Sequence, residues 1–146
     1  MAEGDGAIYN NFKEQVMEGI FDLLNDTVKI ALVTAHVPDI DADDAWTAAS
    51  GDEVTGTGYS AGGLTLTAQA VTQDNANDRG IFDAANVTWT GLNIGGASGS
   101  PSHAILYDDT VTAPADALIA YWEVTTASNG GNYTLQFNAV GIITIT

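Results

Sequence analysis

Ala117-Leu118-Ile119-Ala120-Tyr121-Trp122-Glu123-Val124-Thr125 is the stretch on which the fold turns. Read with the two-residue period of an extended chain, Leu118, Ala120, Trp122 and Val124 fall on one face, with Ile119 and Tyr121 on the other. Both faces are largely apolar, which predicts a strand that is central or covered on two sides. The segment Asn132-Tyr133-Thr134-Leu135-Gln136-Phe137-Asn138 gives the cleaner alternation, with Tyr133, Leu135 and Phe137 set against polar neighbours.

Further β candidates lie at 28–34, 64–72, 81–90, 103–107 and 141–146, with Gly62-Gly63, Gly95-Gly96 and Asn129-Gly130-Gly131 as turn signals. About seven strands, rich in Thr and Val and joined by Gly-rich turns, predict a mainly β, single-domain antiparallel β-sandwich or jelly-roll-like fold. Residues 91–102, rich in Gly and Ser, read as a flexible loop. The stretch from Ala35 to Tyr59 has no sustained period and reads as a long surface excursion, with Trp46 as its candidate anchor to the core.

Ahead of the strands, Ile8, Phe12 and Val16 recur every four positions among Asn, Lys, Glu and Gln. This spacing predicts one N-terminal α-helix over 8–18, capped by Gly19 and followed by the apolar patch Ile20, Phe21, Leu23 and Leu24. Residues 1–25 are then an N-terminal arm with an amphipathic helix, and residues 26–146 the β-sandwich domain. A short amphipathic helix is marginal alone and must be held by packing. Ile8, Phe12 and Val16 are therefore the candidate partner-binding face.

Composition narrows the function classes. Three basic residues, Lys13, Lys29 and Arg79, stand against nineteen Asp and Glu, giving a formal charge of -16 that repels nucleic acid. Without cysteine, neither a disulfide scaffold nor a thiolate metal site is available. Met1 to Gly6 carries no basic region and no apolar run, so it does not read as a secretory signal. The apolar run Ala139 to Ile145 is far shorter than the roughly 20 residues of a membrane helix. The expectation is a soluble protein made in a cytoplasm.

Asp39, Asp41 and Asp43 share the spacing of the first three ligands in a calcium-binding loop. Asp44 stands where that loop needs Gly and Ser50 where it needs the bidentate Glu, so no EF-hand is present. What remains is a looser Ca²⁺ or Mg²⁺ site or a solvated acidic loop. Asp74, Asn75, Asn77, Asp78 and Arg79 read as Asx-type turn chemistry with Arg79 paired to a carboxylate.

Gly56-Thr57-Gly58-Tyr59-Ser60-Ala61 matches a dinucleotide fingerprint only superficially. A strand, not a helix, is expected after it, and the fingerprint needs a helix N-terminus for the pyrophosphate. His36 and His103 lack a Gly-x-Ser-x-Gly partner, so no enzyme is read here. The strand aromatics, among them Trp89, Tyr107, Tyr121 and Trp122, read as core and packing residues ahead of a carbohydrate platform.

The chain resembles the small acidic structural proteins encoded by tailed phages and prophages. Its resemblance is carried by Tyr9-Asn10-Asn11-Phe12-Lys13-Glu14, Asp26-Thr27-Val28-Lys29-Ile30-Ala31-Leu32, Gly56 to Gly63, Val71-Thr72-Gln73-Asp74, Asp78-Arg79, Phe82-Asp83-Ala84, Val87-Thr88-Trp89-Thr90 and Asn132 to Phe137. What the resemblance implies is a virion component. Decoration of the outside of the head is favoured, because an acidic single domain can be added late to a finished shell. The implied partners are the major capsid protein and the chain itself, in trimers or other cyclic oligomers that match capsid symmetry points. Alternatives are a head fibre or knob, a neck or tail component, or a host-surface glycan-binding module.

Overall fold

A computed structural model describes residues 6–94, 100–124 and 130–146. The Gly95-Gly96 turn signal, Asn129, Thr125 and the centre of the 91–102 loop lie outside these residues.

The short strand β1 (Ala7–Ile8) leads into helix α1 (Asn10–Met17), and β2 (Val28–Val33) follows. Two 3₁₀ turns, Trp46–Ala48 and Ser50–Asp52, interrupt the excursion after β2. Eight more strands complete the described chain: β3 (Leu64–Thr65), β4 (Ala70–Asp74), β5 (Arg79–Asp83), β6 (Val87–Leu92), β7 (His103–Thr112), β8 (Ala115–Glu123), β9 (Gly131–Leu135) and β10 (Ile143–Ile145). All the pairings are antiparallel. They form a five-stranded sheet in the order β1-β8-β7-β2-β3, a three-stranded sheet β10-β5-β4 and a two-stranded ribbon β6-β9. Over the described residues the protein is thus mainly β and sandwich-like, with one α-helix.

The main core lies between the five-stranded sheet and the two smaller ones. Val28, Ile30, Leu32, Leu106 and Trp122 face Phe82, Ile143, Trp89, Leu135 and Phe137, with Phe12 of α1 filling one end. Burial of each such large side chain stabilises by about 1.5–3 kcal/mol. On the other side of the large sheet, Ala31, Val33, Ile105, Tyr107 and Leu118 pack beneath Tyr9, Trp46 and Ala49. Trp46 stacks on Tyr107 with ring centroids 5.0 Å apart and planes 4° from parallel. The excursion is therefore a third layer, and it is what covers the second apolar face of β8.

The β7–β8 register shifts twice, between Leu106 and Tyr107 and again between Asp108 and Thr112, and the first shift breaks the alternation along the apolar part of β8. Leu106 pairs with Ala120 but Tyr107 pairs with Leu118, so Ile119 is an extra residue, a β-bulge. Ile119 consequently joins Ala120 and Trp122 in the main core, while Leu118 turns to the Trp46 side. A strict two-residue period puts both on the opposite faces.

Two sequence runs that look continuous are each divided between sheets. In 64–72 the chain leaves β3 and re-enters as β4 through Ala68, which takes φ 54°. The run 81–90 splits into β5 and β6 at Ala84 to Asn86.

Candidate functional site

Helix α1 ends in a Schellman closure. Ile20 N–H donates to Gln15 O at 3.1 Å and Gly19 N–H to Val16 O at 3.3 Å, with Gly19 at φ 74°. This reversal sends Ile20 to Leu24 across the end of the three-stranded sheet. The polar groups of that segment are satisfied locally. Asp22 N–H donates to Asp26 Oδ2 at 2.7 Å, Asn25 Nδ2 to Asp22 Oδ2 at 2.8 Å, and Gln69 Nε2 to Leu23 O at 2.7 Å. With its polar groups so engaged, the segment is held in place while Phe21, Leu23 and Leu24 line a groove.

The opposite wall comes from sheet register. Val71, Phe82 and Ile143 stand abreast across β4, β5 and β10, and two residues along the same face come Gln73, Gly80 and Ile145. Gly80 contributes no side chain, and a Cβ built there meets nothing within 4 Å. Between the walls lies an apolar groove of about 590 Å³, lined also by Phe12, Val16 and Ile81. Phe12 and Phe21 meet at its inner end, ring centroids 4.8 Å apart. Leu24, Val71 and Ile145 on its rim are each more than half exposed, at 54%, 56% and 58%. Isolated exposed apolar residues are ordinary, whereas these three gather around one concavity.

The candidate partner-binding residues fall at graded depths. Phe12 is buried in the core of its own chain, Val16 is half-buried on the groove wall, and half-buried Ile8 pairs with Ala120 of β8. The groove residues Leu24, Val71, Gly80 and Ile145 were not legible as a group. Leu24 stands out in sequence only as part of the apolar patch after the helix, while Val71 and Ile145 are single apolar residues beside threonine, which any edge strand offers.

The carboxylates of Asp39 and Asp43 are occupied by turn chemistry and that of Asp41 by a bond to helix α1. Asp43 Oδ2 accepts from Asp39 N–H and meets His36 Nε2, both at 2.9 Å, while Asp39 Oδ1 accepts from Asp41 N–H at 3.0 Å. Asp41 Oδ1 accepts from Asn10 Nδ2, tying the loop to the start of α1. Among the described residues no three His, Asp or Glu side chains gather as a metal site.

In the second acidic cluster, Asp74 accepts from Ala76 N–H, Asn77 Nδ2 and Arg79 Nε, an Asx turn closed by an ion pair. The Asn77 hydrogen bond, with help from Arg79, holds the Asp74 carboxyl below the usual range.

Around Gly56 to Gly63 the chain builds a clamp. Tyr59 Oη accepts from Leu32 N–H at 3.0 Å and donates to Glu53 at 2.8 Å, and Glu53 also accepts from Gly62 N–H at 2.6 Å. Burial pushes the Tyr59 and Tyr107 hydroxyls far above the ordinary tyrosine value, so both stay protonated and serve as donors. The residues that follow are β3, not a helix. All three tryptophans are buried, and Trp89 lies stacked between Tyr59 and Tyr133.

No family model matches this chain, and no curated protein or solved structure is significantly similar to it. Among the described residues, no helix is long and apolar enough to cross a membrane.

Proposed function

We propose that this chain is a structural, non-catalytic subunit of a tailed-phage virion that decorates the outside of the head, docking on the major capsid protein and forming homo-oligomers there, where the shell holds the acidic copies together. The observation that carries this reading is the groove, an apolar concavity on a domain that is otherwise strongly acidic. An acidic surface keeps a free subunit soluble and apart from its copies, while an apolar recess gives it one place to be held. The sequence resemblance to small acidic virion proteins points the same way. The groove's backbone is held by sheet pairing on one side and by the Schellman closure on the other, which gives a docking partner a preformed recess.

The test is a quantitative protein gel of purified virions of the phage that encodes it. Decoration of symmetric sites gives on the order of a few hundred copies per particle. A count of about six or twelve places the chain at the neck or tail instead.

A further inference from the structure

Building on that docking role, we propose that the groove over Gly80 receives an apolar anchor side chain, of leucine or phenylalanine type, on a partner protein segment flanked by lysine or arginine.

The apolar half of this statement rests on shape. The central strand β5 presents no side chain at Gly80, between Gln73 and Ile145, so the sheet face has a gap one side chain wide. Phe12, Phe21, Leu23 and Phe82 surround the depth behind it. An anchor entering there completes a hydrophobic core already built on three sides.

The cationic half rests on charge complementarity. Asp22 is the one charged residue on the groove wall among the described residues. The three cations of the chain are engaged elsewhere: Lys29 Nζ meets Asp109 at 2.8 Å, Arg79 Nε meets Asp74 at 2.9 Å, and Lys13 Nζ donates to Asn10 Oδ1 at 2.8 Å. With a net charge of -16, the field at the groove mouth attracts a basic segment and repels an acidic one. The same charge disfavours a second copy as the occupant, because two such surfaces would have to meet.

The test is fluorescence anisotropy of a labelled Lys-Leu-Lys-Leu-Lys-Leu-Lys peptide titrated with the full chain. Matched peptides carry Ser in place of Leu, or Glu in place of Lys. Each replacement is expected to weaken binding by about tenfold or more, and added NaCl to weaken it further. Gly80→Leu fills the gap from an open backbone position, and Leu24→Ser thins the wall at an exposed one. Each is expected to weaken the Leu/Lys peptide by about tenfold with an unchanged melting temperature.

Equal binding of the Ser peptide or of the Glu peptide overturns the proposal, as does undiminished binding by both variants or no binding at all. A doubled mass of the free chain in sedimentation, abolished by Gly80→Leu, also overturns it and assigns the groove to a second copy. Virion copy number reads the other claim separately. Hundreds of copies without peptide binding sink the anchor alone, and peptide binding with a count of about a dozen sinks decoration alone.

Discussion

Asp108 and Asp26 face each other with their carboxyl groups at the corner where β7 meets the turn before β2. Asp108 is fully buried, and its Oδ1 accepts from Thr110 N–H at 2.8 Å and Val111 N–H at 3.2 Å. Its Oδ2 has no donor among the described residues other than the Asp26 carboxyl, which bonds to it only when the pair holds a proton.

Burial first, and the Asp26 charge second, push Asp108 up to about 6, against the pull of the two N–H donors. An acid whose folded value is raised contributes stability below the ordinary carboxylate range and loses it as pH rises through about 6. Thermal melts of the wild type should therefore weaken between about pH 4 and pH 7. Asp108→Asn, which keeps the acceptor for Thr110 and Val111 and donates to Asp26, should flatten that slope. At pH 7.5 it should stabilise the protein by on the order of 1 kcal/mol. Parallel wild-type and variant curves would show that the pair holds no shared proton.

Trp46 pins the excursion over the second face of the large sheet by its stack on Tyr107. Trp46→Ala should cost about 3 kcal/mol in urea denaturation, in keeping with loss of a buried tryptophan, and Trp46→Phe well under half of that. A loss below about 0.5 kcal/mol for the alanine variant would mean that the excursion is held by its backbone bonds alone.

Gly19 and Gly63 share a positive φ, 74° and 76°, but not their surroundings. A Cβ at Gly19 meets nothing within 4 Å, whereas at Gly63 it falls 2.0 Å from Ile30 O in the strand beside it. Gly19→Ala should cost about 1 kcal/mol, the price of a left-handed alanine. Gly63→Ala should cost about 3 kcal/mol or more, because backbone must move. Equal denaturation midpoints for the two variants would contradict this.

Because the carboxylates of Asp39 and Asp43 serve turn hydrogen bonds and that of Asp41 accepts from Asn10 Nδ2, millimolar CaCl₂ should raise the melting temperature no more than NaCl of equal ionic strength. Asp41→Asn should respond alike in both salts. A saturating rise with Ca²⁺ that the variant lacks would reveal a specific ion site.

Although Ile8, read as the first helical residue, belongs to strand β1, the sequence by itself determined where most extended segments lie, that 10–17 is helical and capped at Gly19, and that the strand from Ala117 to Glu123 is covered on both faces. Each of these is written in the local spacing of apolar residues and in a capping glycine, which act over a few positions. The Asp74–Arg79 turn was legible for the same reason. Only the tertiary structure decided the bulge at Ile119, the break at Ala68, the division into three sheets and the meeting of Asp26 with Asp108. The groove belongs with these, since Phe21, Leu24, Val71, Gly80 and Ile145 come from four separate segments. Such features depend on which strands pair and in what register. That choice is made by the summed burial and hydrogen bonding of residues far apart in the chain, and no local period carries it.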